Sequence, residues 1–190
     1  MAEEIGHPLT PEQTALLDRY HDWLLDEAIP AGGLGSGETD RIGDRHLADS
    51  LIYRRFFEPP PVLWDLGSGA GLPGVPLAIL LPDTECVLVD RSGRRVQLLK
   101  RVVRVLGLDN VTVRQDEITR LQGPVPVVVS RASLPPEQLR PHLVRILEPG
   151  GIAVVGGSWV SRPEHDGWAT EEVTLVSLDR TVWLLIMRRQ

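Results

Sequence analysis

Residues 62–81 constrain this chain more than any other stretch. An apolar run, Val62–Leu66, ends in a loop with four glycines in eight residues, Gly67 to Gly74, and a second apolar segment, Val75–Leu81, follows at once. The pattern predicts a buried strand, a tight turn and a helix start. Glycines in such a turn admit positive φ and let a ligand approach the backbone closely. The next strand, Glu85–Asp90, ends in an acid about 20 residues past the loop, where a carboxylate can accept both ribose hydroxyls of a nucleoside. The first expectation is therefore a nucleoside cofactor across the carboxyl ends of two neighbouring parallel strands.

Gly69-Ala70-Gly71-Leu72-Pro73-Gly74 fits G-x-G-x-x-G, a pattern that nicotinamide enzymes share. Three features favour S-adenosyl-L-methionine instead. Asp65, two residues before the first glycine, is unsuited to a pyrophosphate but suits a cationic amino group, directly or through water. Pro73 removes a backbone N–H and weakens the turn as a phosphate cradle. Leu147-Glu148-Pro149-Gly150-Gly151 precedes a late strand, a turn common in methyltransferases that use this cofactor.

The 190 residues suit one domain, with 1–58 a helical flank and 62–190 the cofactor-binding α/β core. No uninterrupted apolar run is long enough to span a membrane, and the acidic start Met1–Ile5 argues against a secretory signal, so a cytoplasmic chain is expected. The lone cysteine, Cys86, falls in a predicted buried strand, and five scattered histidines predict no metal site. A formal net charge of −6 excludes a strongly basic nucleic-acid binder. Two basic clusters stand out against it: Arg91, Arg94, Arg95, Lys100, Arg101 and Arg104, and Arg41, Arg45, Arg54 and Arg55. They read either as solvated helix faces or as contacts for the phosphates of a folded RNA.

Thr10-Pro11-Glu12-Gln13 predicts a capped helix start, and Leu16, Leu17, Tyr20, Trp23 and Leu24 continue it at helical spacing. This helix is expected to lie across the sheet as a lid or flank. A second helix is expected over about Asp44–Phe57, stopped by Pro59-Pro60-Pro61. From Val62 strands and helices alternate: strands Val62–Leu66, Glu85–Asp90, Val111–Gln115, Val125–Ser130 and Ile152–Val155; helices Val75–Leu81, Arg94–Leu106, near Ile118–Leu121 and near Pro136–Ile146. Such alternation implies a mostly parallel sheet covered by helices on both faces. The tail differs, because Val173–Leu178 and Thr181–Met187 flank Asp179-Arg180 as an antiparallel hairpin with a two-residue turn. The fold class expected is α/β, a Rossmann-like class I S-adenosylmethionine-dependent methyltransferase with a seven-stranded sheet.

Gly67–Ala78 resembles the signature loop of the glucose-inhibited division protein B family, small-subunit ribosomal RNA methyltransferases that modify a guanine at N7. Arg45-His46-Leu47-Ala48-Asp49-Ser50-Leu51 and Val129-Ser130-Arg131-Ala132 resemble two further family blocks, in the same order. The resemblance covers about residues 44–155. It implies that Gly67, Leu72, Ile118 and Thr119 contact the cofactor, and that Arg131 stands where the family has a cofactor-contacting arginine. From the residues alone, Asp65, Gly69, Gly71, Asp90 and Asp116 join them, Asp116 lying where an adenine edge would fall or serving as a helix-start cap. The implied partner is small-subunit ribosomal RNA or its ribonucleoprotein particle, and the expected working unit is a monomer. The chain departs from the family upstream, where an Asn-Leu-Thr element is missing, and after the fifth strand, where Val155-Gly156-Gly157 stands in place of a lysine.

His46, Asp49 and Ser50 share one helix face, and Asp49 is expected to pair locally with His46 or Arg45. No nucleophile–base pair is evident, so no catalytic residue is assigned. A small-molecule methyltransferase, a non-catalytic cofactor-binding module and, more remotely, a nicotinamide oxidoreductase remain as alternatives.

Overall fold

The computed structural model describes residues 8–159 and 161–190; the acidic start read above lies outside them. Helix α1, Pro11–Trp23, begins with the anticipated capping box. The Gln13 amide donates to Thr10 Oγ1 (3.2 Å) and the Thr10 amide to Gln13 Oε1 (3.0 Å). Leu17, Tyr20 and Trp23 form the buried face. Gln13 Nε2 also reaches the carbonyls of Ile79 (3.3 Å) and Leu80 (3.2 Å), and the Tyr20 hydroxyl donates to Ala70 O (3.0 Å). These bonds make α1 a flank that clasps the glycine loop and the helix after it, and not a lid.

The single helix expected over 44–57 is instead a broken run: a 3-10 turn Ser36–Arg41, a π turn Ile42–Leu47, α2 Ala48–Leu51 and a 3-10 turn Ile52–Phe56. Two demands break it. Ile42, Leu47, Ala48, Leu51, Ile52 and Tyr53 must all be buried, which is more than one face of a regular helix supplies. The Ser50 hydroxyl also donates back to His46 O at 2.6 Å, a bond that distorts helices. The widened turn carries His46 and Asp49 toward the sheet edge described below.

The core alternates as read: β1 Val62–Leu66, α3 Gly74–Leu80, β2 Glu85–Asp90, α4 Gly93–Leu106, β3 Val111–Gln115, β4 Val125–Arg131, α5 Pro136–Ile146 and β5 Leu147–Gly156. Between β3 and β4 only a 3-10 turn forms, Ile118–Arg120. The sheet order is β3-β2-β1-β4-β5-β7-β6. The first five strands are parallel, while β7 Arg180–Arg188 runs antiparallel to both β5 and β6 Ala169–Leu175. Every residue of α3 is buried, which its unbroken apolar sequence demands.

The hairpin turn is longer than anticipated. Leu175 pairs with Arg180, and Val176–Leu178 form a 3-10 turn closed by Asp179 at φ 47°. A two-residue turn requires a residue that tolerates positive φ at its first position. Asp179, the first residue of the expected turn, does take positive φ, but pairing ends at Leu175 with Arg180 and leaves residues 176–179 as the loop.

Asn110 ties three elements. Its Nδ2 donates to the carbonyls of Ala78 (3.1 Å), Leu81 (3.0 Å) and Thr84 (3.1 Å), holding the end of α3 and the start of β2 against β3. Asn110→Ala is expected to cost about 1–3 kcal/mol by leaving these acceptors unmet. Urea denaturation should show a lower midpoint at unchanged slope.

Candidate active site

The loops after the first five strands converge on one cavity of about 610 Å³. Its floor is the point where strand order reverses, β1 lying between β2 and β4, the usual ligand position in open α/β sheets.

The glycine loop is fastened to the end of β2. The amides of Gly67 and Ser68 donate to Val89 O at 2.8 and 3.0 Å, and the Gly69 amide donates to Asp90 Oδ2 at 3.0 Å. Gly67 (φ 75°) and Gly69 (φ 60°) take the left-handed conformation this needs. A Cβ at Gly67 would also stand 2.5 Å from Ser133 Cβ. Asp90 Oδ1 accepts from the Ser92 amide (2.9 Å), and Arg95 Nη1 stands 3.8 Å from Oδ2. Asp90 is only 3% exposed and borders the cavity. Two backbone amides thus fix its orientation, while a carboxylate with about four acceptor positions keeps room for a diol.

Asp65 sits behind this wall. It is wholly buried and does not border the cavity; its Oδ2 accepts from the Gly74 amide at 3.0 Å, capping α3. Its Oδ1 has no hydrogen-bond partner among the described residues. Burial pushes this carboxyl up to about 7, against the pull of the Gly74 amide and the Arg131 charge. Gly71 is also behind the wall, where a Cβ would stand 2.6 Å from Val75 Cγ2 and 2.9 Å from the Tyr20 hydroxyl.

Beyond β3, Asp116, Ile118 and Thr119 border the cavity. Asp116 Oδ1 accepts from the Glu117 amide (2.8 Å), and Arg114 grips Oδ2 with Nε at 3.0 Å and Nη2 at 2.5 Å. Arg114 first, and the Glu117 amide after it, hold the Asp116 carboxyl below its usual range. Asp116 thus borders the cavity, while the turn Ile118–Arg120 has no side-chain cap, so the cap reading is not met.

The end of β4 supplies a cation. Ser130 Oγ donates to Leu66 O (2.8 Å) and meets Ser133 Oγ at 2.5 Å, while the Tyr53 hydroxyl donates to Ser130 O (3.2 Å). Ala132 then turns at φ 53°, a left-handed conformation that costs a residue with a Cβ about 1–2 kcal/mol. Arg131, between them, borders the cavity and has no ion-pair partner within 4 Å among the described residues. Gly156 is paired with Arg131 across β4 and β5, and a Cβ there would overlap the Tyr53 hydroxyl. Tyr53 thus accounts for the glycine that stands after the fifth strand in place of a longer side chain.

Eight of the ten residues named from sequence, Gly67, Gly69, Leu72, Asp90, Asp116, Ile118, Thr119 and Arg131, border the one cavity. Of the basic clusters, Arg45, Arg91 and Arg95 reach it, whereas Arg101 pairs with Glu27 at 2.5 Å. The expected local pairing of Asp49 is corrected: Asp49 Oδ2 meets Arg180 Nη2 at 3.0 Å, across 131 residues of sequence. Burial nonetheless raises the Asp49 carboxyl above its usual range, with Arg180 opposing. Sequence reasoning also missed Trp159 and the hairpin residues Arg180–Trp183 at the cavity. Strand alternation alone could have suggested two faces for the hairpin, but not what either face meets.

Sheet order, antiparallel seventh strand and cleft define a Rossmann-like class I methyltransferase. Solved structures that share this fold superimpose on the chain. A mutant MtNAS in complex with S-adenosylmethionine aligns at TM-score 0.62 and 16% identity over 93% of this chain and 73% of that one. Precorrin-6y C5,15-methyltransferase from Geobacter metallireducens aligns at TM-score 0.53 and 15% identity over 76% and 87%.

The family model for rRNA small subunit methyltransferase G matches residues 13–162. Relatives named ribosomal RNA small subunit methyltransferase G agree: 37% identity with the Acidothermus cellulolyticus protein (80% of this chain, 68% of the relative) and 33% with that of Chlorobaculum tepidum (88% and 83%). Identity with the Mycobacterium leprae protein is 40%, over 79% of this chain but only 63% of the relative's length. The chain belongs to the ribosomal RNA small subunit methyltransferase G family.

The buried Asp65 generates a pH prediction. An acid whose folded pKa is raised binds more protons folded than unfolded, so its contribution to stability falls as pH climbs from 3.8 to about 7 and is level above that. Asp65→Asn keeps an acceptor for Gly74 and removes the titration. Its stability relative to the parent chain should rise by on the order of 2 kcal/mol between about pH 5 and pH 8. Thermal melts of both proteins across that range would read it, and parallel curves would contradict a raised carboxyl.

Proposed function

We propose that this chain transfers a methyl group from S-adenosyl-L-methionine to guanine N7 in small-subunit ribosomal RNA, in the cytoplasm. The observation that carries the reading is Asp90, held by the Gly69 and Ser92 amides and facing the same cavity as the unpaired Arg131. Family membership supplies the reaction class and the RNA.

The residues present fit such a cofactor. Asp90 would take the ribose hydroxyls. Asp116, Ile118 and Thr119 would border the adenine. The Gly67–Gly69 backbone would lie against the methionine portion, and Arg131 would meet its carboxylate. Asp65 would act from behind, holding the first amide of α3 and with it the shape of the loop. A cavity of about 610 Å³ is of the size that encloses a nucleoside with part of a second ring system.

When bound, this cofactor supplies a methyl group on a positively charged sulfur. Guanine N7 carries a lone pair and no proton, so the acceptor requires no general base. What remains for the protein is orientation, which supplies several kcal/mol when reacting atoms are held in line. The braced backbone at Ser130–Ala132 suits that role, because a hydroxyl, a carbonyl and a left-handed turn fix the stretch on which Arg131 sits.

Three results are expected. Asp90→Ala should weaken S-adenosylmethionine binding at least tenfold by calorimetry, and Arg131→Ala should weaken it less but measurably; unchanged affinity in Arg131→Ala would remove that residue from the cofactor site. In Asp65→Asn, which lacks the carboxyl that titrates at about 7, the single-turnover rate of methyl transfer should be nearly flat between about pH 6.5 and pH 8.5, because the reaction transfers no proton. Labelled methyl should pass to small-subunit particles or their RNA and map to a guanine N7. Transfer only to small molecules would favour the small-molecule alternative, and cofactor binding without any transfer would favour a non-catalytic module.

A further inference from the structure

The cavity extends past the residues assigned to the cofactor, and its far corner is built differently. Trp159 and Trp183 both border it, together with Arg45, Arg180 and Ser158. The chain has five tryptophans, and two of them are spent here. Trp183 belongs to neither apolar cluster, and among the described residues neither indole stacks on another ring.

The sheet register places this corner. Arg131 pairs with Gly156, and Gly156 pairs with Leu184, so the three form one row across β4, β5 and β7. Trp183 precedes Leu184 on β7, and Trp159 follows Gly156 by three residues. The Trp159 ring lies over Gly157, where a Cβ would stand 2.8 Å from its Cε2 and Cζ2. Both indoles therefore border the cavity from the carboxyl end of β5 and the facing part of β7, with β5 between Trp183 and the end of β4. Arg180, on the same strand as Trp183, is oriented by Asp49 at 3.0 Å.

Two indoles bordering one corner of a cavity match an unstacked nucleobase. Bases taken out of a stack are received on aromatic faces, at about 1–3 kcal/mol per base.

The geometry points to Trp159 and Trp183 as the stacking subsite for the acceptor guanine of the RNA. The subsite rests on the reading given under Proposed function, and specifies how that site takes its acceptor. Trp183 lies beyond residues 13–162, so the matched family block does not include it.

The test uses the full chain saturated with S-adenosylhomocysteine and titrated with guanosine 5′-monophosphate, followed by saturation-transfer NMR and tryptophan fluorescence. Trp159→Leu and Trp183→Leu should each weaken nucleotide binding about tenfold, while Trp→Phe at either position restores most of it. With small-subunit particles as acceptor, the leucine variants should raise KM more than they lower kcat. Affinity for S-adenosylmethionine should be unchanged in all four. Equal loss of cofactor affinity would assign the corner to the cofactor and overturn the subsite, as would nucleotide binding indifferent to both leucine variants. Guanine nucleotide binding that depends on the tryptophans, in a protein that methylates no RNA, would keep the subsite and sink the RNA reading. RNA methylation unaffected by the tryptophans would do the reverse.

Discussion

Everything at the site depends on one fastening, the attachment of the loop after β1 to the end of β2. Three consecutive loop amides donate into β2, two to the Val89 carbonyl and one to the Asp90 carboxylate. Because Asp90 also accepts from Ser92, the acid is fixed from both sides and cannot swing away from the cavity. The same fastening sets where the loop turns back into α3, whose first amide is taken by buried Asp65. Two carboxylates thus hold one loop, one at the cavity and one beneath it, and each satisfies backbone donors that burial would otherwise leave unmet.

The opposite wall is held by side chains from distant parts of the chain. Tyr53, from the broken helical run before the sheet, reaches the carbonyl of Ser130 and fills the space beside Gly156. Asp49, from the same run, holds Arg180 of the last strand. The run is irregular because it must bury apolar side chains on more than one face and still send polar ones to the cavity. Strain at a site is kept only where surrounding contacts over-determine it, and Ala132, flanked by Ser130, Ser133 and the Gly156 carbonyl, meets that condition.

The division of labour around the cavity follows the physics of each half. The half proposed for the cofactor is made of backbone amides, glycines and short acids, which position a small ligand with little conformational freedom to lose. The half proposed for the acceptor carries arginines and indoles, long or broad side chains that can reach a substrate attached to something much larger. A net charge of −6 is compatible with an RNA acceptor when the basic groups are gathered at the opening, as Arg45, Arg91 and Arg95 are.

Much of the molecule was legible in the sequence. The alternation of apolar runs, the glycine loop and the acid at the end of β2 are local signals, and local chemistry dictates them: a strand that must be buried on both faces, a turn that only glycine can make, a carboxylate one strand away. The capping box at Thr10 is readable for the same reason. Contacts between residues far apart in sequence were not legible. Asp49 with Arg180, Tyr53 with Gly156 and the two indoles at the cavity carry no mark in spacing or periodicity, because packing creates them only after the sheet has formed. The hairpin's turn was misjudged as well, because its length is set by the register in which β6 and β7 pair, Leu175 opposite Arg180, and that register is a tertiary choice. The amino-acid order therefore determined the fold class and eight of the residues that border the cavity. Tertiary structure alone decided that Trp159 and Arg180–Trp183 join them, since those segments meet the rest only once the sheet has brought them together.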